Sequence, residues 1–550
     1  MADAGYLGVT PPISTAPSNA RELEVTKTLM DELKAQNQFE SEEEARRREL
    51  VLGRIAALVK KFVRDVSLAK GMSEAAATAA GGKIFTFGSY RLGVHAPGSD
   101  IDTLCVFPKH VSRDDFFTTF EPMVRDMEDA VEVSGVPEAF VPVIGAKISG
   151  ISMDLLCASL NMSSIPDELS LNDNNLLKTL DESVVRSVNG TRLTDELLRL
   201  VPNVQVFRDA LRCIKLWAQR KAIYSNAIGF LGGVAWAMLV ARVCQLYPHA
   251  AAGAIVGRFF TIMSKWQWPT PVLLKQIEEG PLQVRVWNPK LYAGDRAHRM
   301  PIITPNYPSM CATHNVSGST LEVMSEEIRK GAATLERIMA GSAAWSELFT
   351  KHEFFHKYKN YLMVFALAKT EAAATKWSGT VESRLRQLVN RLEYVPGLRL
   401  AHPFNKSFDR VVRCETEQEQ ASVMRTAEFT PESEGPQDDP RNADAKFKVY
   451  VSTLFVGLGV APKDLANPLP RRLDASFAIT EFVKIAKGET FDEANTGIVL
   501  RHIRHGALPD YVFAPGEREA ALAKVNGRKR TKSLSGGTPV KRPRLSTASV

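Results

Sequence analysis

Two carboxylates spaced two residues apart open an otherwise apolar run: Asp100 and Asp102 lead into Thr103, Leu104, Cys105, Val106 and Phe107. Such a run predicts a strand, and residues i and i+2 of a strand face the same way, so the two carboxylates converge. A third, Asp154, stands inside a second apolar run, Ile148 to Leu156, and a neighbouring strand would set it beside the first pair. Three close carboxylates repel one another, and burial makes each anion costlier still. Divalent cations relieve both costs, and hard oxygen donors of this kind suit Mg²⁺ or Mn²⁺. The chain must therefore fold so that two strands distant in sequence meet around one acidic site.

Upstream, Gly88 and Ser89 follow the apolar stretch Ile84 to Phe87, and Gly93, Pro97 and Gly98 interrupt the path to Asp100. A glycine-opened turn lets backbone N–H groups approach an anion, and the serine hydroxyl adds a donor. An isolated Asp-x-Asp is more often a turn at a strand end. Here Gly-Ser stands eleven residues before the first Asp and a third Asp lies on its own apolar run. That combination resembles the nucleotidyltransferase superfamily of the DNA polymerase β type. In a two-ion arrangement one metal activates the attacking hydroxyl and the other stabilises the leaving oxygen.

A narrower resemblance is carried by Phe87 to His95, Gly98 to Thr103, Pro301 to Asn315, Lys376 to Ser383 and Ala401 to Phe404. These stretches are similar to the eukaryotic nuclear poly(A) polymerase family and span both halves of the chain. The resemblance implies an α+β chain of three domains: a mixed-sheet nucleotidyltransferase domain, a helical central domain and an RNA-recognition-like α/β C-terminal domain. It implies a template-independent transfer of AMP from ATP to the 3′ end of RNA, with Asp100, Asp102 and Asp154 as catalytic metal ligands for two Mg²⁺ or Mn²⁺ ions. Position by position, it implies that Lys215 and Ser89, with Gly88, hold the triphosphate. Tyr224 and Asn226 would contact the triphosphate and the adenine end, Gly233 and Val234 would press on the base, and Phe87 and Asn189 would complete the base and sugar environment. Two of these have ordinary alternatives: Gly233-Val234 also reads as close helix packing, and Asn189-Gly190 as a simple turn. The family further implies a monomer acting within pre-mRNA cleavage and polyadenylation factors in the nucleus.

At 550 residues the chain is too long for one core. The expected organisation is a flexible arm over residues 1–19, a catalytic domain over 20–201, a helical domain over 202–352, an RNA-binding domain over 353–520 and a disordered basic tail over 521–550. Helical spacing is expected over Ala20 to Asn37, Leu50 to Phe62, Thr194 to Leu200, Val206 to Lys221 and Phe230 to Leu246, and strands over Lys83 to Leu160. The acidic stretch Thr430 to Ala445 lacks apolar periodicity and is expected to be a disordered surface loop, with a strand resuming over Phe447 to Val456.

Six scattered cysteines without a Cys-x-x-Cys pair argue for reduced thiols rather than a zinc site. The opening residues lack the apolar core of a signal peptide. Ala227 to Ala241, the longest apolar run, is too short for a membrane span. Eight Lys and Arg residues fall in 524–550 without an Asp or Glu, and removing them takes the net charge of +7 to about −1. Attraction to nucleic acid must then come from local patches on the folded body, for which Lys147, Lys357, Lys359, Lys376 and Arg384 to Arg391 are candidates. The tail clusters Arg528 to Lys532 and Lys541 to Arg544 resemble a bipartite signal for a nuclear import receptor, and a nonspecific RNA-binding tail would look the same. Two other readings remain: a uridylyl- or CCA-adding transferase with the same triad, and a catalytically silent RNA-binding scaffold.

Overall fold

Alternation along two strands builds the centre of the N-terminal part. In the computed structural model, which describes residues 5–139, 141–280, 284–461, 473–488 and 491–518, the strands are β1 (Lys83–Thr86), β2 (Ile101–Pro108), β3 (Ala130–Val136), β4 (Val143–Ile148) and β5 (Ile151–Leu160). They form one mixed sheet in the order β1-β2-β5-β4-β3. Only β2 and β5 pair in parallel among these; the other pairs are antiparallel. Strands are thus found over the span that the apolar runs predicted.

Each face of the sheet is covered differently. Ile101, Cys105 and Phe107 of β2, with Met153 and Leu155 of β5, turn to one side and pack under the helix Glu42–Ala69 through Val51, Ile55, Val59 and Phe62. Leu104 and Val106, with Leu156 and Ala158, turn to the other side and meet Val188 of the helix Glu182–Arg199. By the same period of two, Asp102 and Asp154 share that second face, just before its apolar cluster begins. Helix Glu182–Arg199 runs straight through Asn189 and Gly190, so the simple-turn alternative for that pair is corrected. Gly190 is tolerated inside the helix because the Phe87 ring occupies the space a Cβ would need, its nearest carbon 2.9 Å from that position.

The central region is helical, with Val204–Arg220, Gly233–Leu246, Ala252–Met263 and Gly318–Met339 as its main elements. Trp217 stands edge-on to both Trp236 at 5.7 Å and Phe260 at 4.8 Å, and all three are fully buried. Gly331 leaves room for the Phe260 ring where any side chain would collide. The first helix, Ala20–Ala35, precedes the sheet in sequence but packs on Ala252–Met263, where Gly253 admits the backbone of Thr26.

Within the arm expected before that helix, residues 5–19 make hydrogen bonds to the central region. Ile13 N–H donates to Leu246 O at 2.9 Å, Arg242 Nη2 to Thr10 Oγ1 at 2.6 Å and Ala251 N–H to Ser18 Oγ at 2.8 Å. An arm without hydrophobic periodicity makes polar contacts here to the end of helix Gly233–Leu246 and to the start of helix Ala252–Met263. The expected helix Leu50 to Phe62 is longer, Glu42–Ala69, because Ser41 caps it and the polar run before Leu50 is its first two turns.

The chain divides into two compact units after His352. The second unit holds β6 (Asn360–Ala368), β7 (Leu398–Pro403), β8 (Phe408–Cys414), β9 (Glu434–Pro436), β10 (Phe447–Val460) and β11 (Thr496–Arg504). They form an antiparallel sheet in the order β11-β6-β10-β8-β9, with β7 also on β10. Helix Glu371–Leu392 packs on β6, β7 and β10 and against helix Ser476–Lys487. The expected disordered loop Thr430 to Ala445 is ordered instead. It contributes the edge strand β9, and Asn442, buried, donates to Pro436 O at 2.9 Å beside the Arg413–Asp439 ion pair. The basic tail of 521–550 lies outside the described residues.

Candidate active site

Parallel pairing of β2 and β5 sets Asp102 directly opposite Asp154. Asp100 sits just before β2, and ligand oxygens of the three carboxylates lie within 4.8 Å of one another. Burial, then Asp100 and Asp154, push the Asp102 carboxyl up to about 7. Burial and Asp100 also raise Asp154. Three carboxylates side by side, two of which resist ionisation, are a donor set fitted to a divalent cation.

Gly88 is shaped by this cluster. Its φ is +63°, in the left-handed region, and a Cβ there would run into Asp102 Oδ2. The short helix Gly88–Leu92 that follows carries Ser89. A cleft of about 420 Å³ opens beside it, lined by Gly88, Ser89, Asp100, Asp102, Lys215, Tyr224, Gly233 and Val234 among others. Burial, chiefly, and the Arg212 guanidinium lower Lys215 to about 8, opposed by Asp100 and Asp102, so its ammonium remains largely charged at neutral pH. Tyr224 is pushed up to about 12 by burial and then by the same two aspartates, which leaves its phenol a hydrogen-bond donor. A Cβ on Gly233 would come within 2.5 Å of the Tyr224 hydroxyl, so the glycine is what admits it.

Four of the sequence-predicted residues do not line the cleft. Phe87 lies against Gly190; Asn189 Oδ1 accepts from Asn306 Nδ2 at 3.4 Å; Asn226 is exposed, its carbonyl accepting from Asn315 Nδ2 at 3.1 Å. Asp154 also stands outside the cleft's lining and joins the site through the carboxylate cluster.

A clamp that sequence reasoning missed holds the loop between Ser89 and Asp100. Arg208 Nε donates to Leu92 O at 2.8 Å, Arg212 Nη2 to Gly93 O at 2.6 Å and Lys215 Nζ to Val94 O at 3.1 Å. Three successive carbonyls are thus held by cations spaced four and three residues apart on helix Val204–Arg220. That basic stripe was visible in the sequence, though its target was not.

Three domain families match along the chain. The poly(A) polymerase nucleotidyltransferase domain matches residues 8–201, the poly(A) polymerase central domain 206–351 and the poly(A) polymerase predicted RNA binding domain 353–521. The chain belongs to the poly(A) polymerase family. Poly(A) polymerase pla1 of Schizosaccharomyces pombe is 49% identical, covering 98% of this chain and 99% of that one. Poly(A) polymerase PAPa of Candida albicans is 47% identical over 96% and 98%. Poly(A) polymerase of Dictyostelium discoideum is 49% identical over 93% of this chain and 60% of its own. Among solved structures, one of the Cid1 RNA terminal uridylyl transferase aligns with 60% of this chain and 99% of that one, at 16% identity and a TM-score of 0.42. Family membership agrees with the sequence-level resemblance and with its three-domain α+β architecture. Among the described residues no helix is long and apolar enough to cross a membrane.

Proposed function

We propose that the cleft between Ser89 and Lys215 binds the triphosphate of ATP and that the Asp100, Asp102 and Asp154 cluster directs the 3′-hydroxyl of RNA onto its α-phosphate. As a member of the poly(A) polymerase family the chain is a template-independent polynucleotide adenylyltransferase, with RNA and ATP as its substrates. What carries the mechanistic reading is that a charged Lys215 lines one cleft with Asp100 and Asp102, and that Asp154 joins those two in one carboxylate cluster. Opposite charges placed there suit a polyphosphate bridged to metal.

Asp100, Asp102 and Asp154 would hold two ions, Mg²⁺ or Mn²⁺, which supply an activated hydroxyl and charge neutralisation on the leaving oxygen. Lys215 draws the departing pyrophosphate by its ammonium, and Ser89 donates a hydroxyl to it. The proton of the RNA hydroxyl leaves on the side of Asp154. Gly88 and Gly233 give up side chains so that Asp102 and the Tyr224 phenol can stand close to the substrate. The Gly233 and Val234 start of helix Gly233–Leu246 offers a small apolar surface to the base, with Phe87, Asn189 and Asn226 further out. Rate enhancement in such a site rests on positioning and charge stabilisation.

Around this core, the family supports a nuclear enzyme that works as a monomer within a pre-mRNA cleavage and polyadenylation assembly. The basic clusters of 524–550 would address an import receptor. Deleting 524–550 should exclude the protein from nuclei and leave tail synthesis in vitro unchanged; loss of synthesis would mark the tail as an RNA-binding element.

Purified protein given an RNA primer and each nucleoside triphosphate separately tests the central reading. ATP should be incorporated far faster than UTP, and Asp154→Ala should abolish extension without unfolding the protein. Equal use of UTP, or an active Asp154→Ala, would overturn it.

A further inference from the structure

Asp100 is the exposed member of the carboxylate cluster and stands outside β2, so no ladder of hydrogen bonds fixes its backbone. The turn before it is built from Ala96 to Ser99. Ser99 N–H donates to Ala96 O at 3.1 Å, Pro97 follows Ala96, and Gly98 has φ +73°. In such a turn the glycine N–H points outward, and here it donates to Glu44 Oε1 at 2.8 Å.

Glu44 lies on helix Glu42–Ala69 and is itself held. Arg48, one turn on and fully buried, donates to Glu44 Oε1 at 2.9 Å and to Glu40 Oε2 at 3.0 Å. The other oxygen of Glu40 meets His95 Nε2 at 2.6 Å. One buried guanidinium therefore fixes two carboxylates, and these grip the loop at His95 and Gly98. The cations of helix Val204–Arg220 already hold the same loop at Leu92 to Val94, and Arg212 also stacks on Phe39, next to Glu40, at 4.7 Å.

We infer that Arg48 and Glu44 are positioning residues that set Asp100 into metal-binding geometry, so that the affinity of the cluster for a divalent cation depends on a pair of side chains that never touch it. A buried arginine with two carboxylates is expensive to maintain as mere structure, since apolar packing can replace it at equal or better stability. Loss of groups that orient metal ligands commonly weakens binding by about ten- to a hundredfold.

The inference rests on the metal-binding reading proposed above, and one titration separates the two. Mn²⁺ binding is measured by electron paramagnetic resonance on the full chain without nucleotide, for wild type, Glu44→Ala, Glu44→Gln, Arg48→Lys and Asp154→Ala, with melting temperatures alongside. Glu44→Ala should raise the Mn²⁺ dissociation constant by roughly tenfold. Glu44→Gln, whose amide oxygen can still accept from Gly98 N–H, should recover most of the affinity. Should Glu44→Ala fail to fold, Arg48→Lys, which keeps the charge but cannot reach both carboxylates, should show the same weakening. Wild-type Mn²⁺ affinity in Glu44→Ala or Arg48→Lys, with Asp154→Ala impaired, would overturn the inference and leave the metal reading standing. Undiminished binding in Asp154→Ala would overturn both.

Discussion

Asp102 and Asp154 face each other as register partners on the one parallel strand pair described in the catalytic sheet. Burial of Asp102, and then the neighbouring Asp100 and Asp154, make the folded protein hold on to a proton that the unfolded chain would release. Asp102 is raised from an ordinary carboxylate value to about 7, so between roughly pH 4 and 7 the native state binds more protons than the unfolded one. Stability of the metal-free protein therefore falls as pH rises through that window. A divalent cation offsets the repulsion, so the rise in melting temperature on adding Mg²⁺ or Mn²⁺ should be larger at pH 8 than at pH 6. Asp102→Asn should raise the metal-free melting temperature at pH 8 by about 2 °C and remove most of the cation effect. Scanning calorimetry with and without cation at the two pH values checks both.

Gly88 has no alternative side chain. Gly88→Ala would place a methyl group against Asp102 Oδ2 at a φ that disfavours any Cβ, so either the carboxylate or the loop must move. Strain of this kind costs about 1–3 kcal/mol. The larger effect should fall on function, with primer extension reduced at least about a hundredfold because the displaced oxygen belongs to a proposed metal ligand. Steady-state kinetics alongside thermal unfolding would separate the two losses.

The parts of this site that were legible in the sequence are those encoded locally. Period-two alternation put Asp102 and Asp154 on one face of neighbouring strands, while Asp100, expected on the same strand, stands just before it, and the glycines at 88, 93 and 98 marked the turns. Lys215, Tyr224 and Gly233 came only through the family resemblance, since a lysine in a helix has no local feature that points it at a phosphate. Arg208, Arg212 and Glu44 were missed because their partners lie between about fifty and 120 residues away, and nothing in a helical basic or acidic residue names a distant carbonyl or N–H; Arg48 was missed with Glu44, through which it acts. The Asn189-Gly190 turn reading failed for a related reason: Gly190 serves the Phe87 ring, a tertiary contact that overrides its poor helix propensity. Thr430 to Ala445 looked disordered because its order comes from Arg413, Asp439 and Asn442, which are polar and carry no periodicity.

On the nucleotide side, Gly233 and Tyr224 give a prediction about binding rather than chemistry. Gly233→Ala sets a methyl group within 2.5 Å of the Tyr224 hydroxyl, which must swing out of the cleft or push helix Gly233–Leu246 away. Since the triad and Lys215 stay in place, the KM for ATP should rise about tenfold while kcat changes less than threefold. Pairing the change with Tyr224→Phe removes the atom in conflict and should restore part of the loss. A fall in kcat at unchanged KM would place Tyr224 with the reacting atoms instead.

On the other side of Asp154 stands Gly145, its register partner on β4, which in turn faces Ser134 on β3. The row Asp102, Asp154, Gly145, Ser134 thus crosses the sheet on one face, outward from the cleft lined by Lys215. A Cβ on Gly145 would meet only Asp154 Oδ1 and Ser134 O, each at 3.9 Å, so the position has room for a side chain and is bare in the native protein. The cleft lined by Lys215 and Ser89 lies toward Asp102, and we propose the surface over Gly145 as the approach for the RNA 3′ end. Gly145→Val should therefore fold normally and keep the ATP KM within about twofold, while raising the KM for an oligo(A) primer by about tenfold, the signature of lost binding on one substrate alone. Measuring initial rates against primer at saturating ATP, then against ATP at saturating primer, distinguishes this from a damaged metal cluster, which would depress kcat in both series.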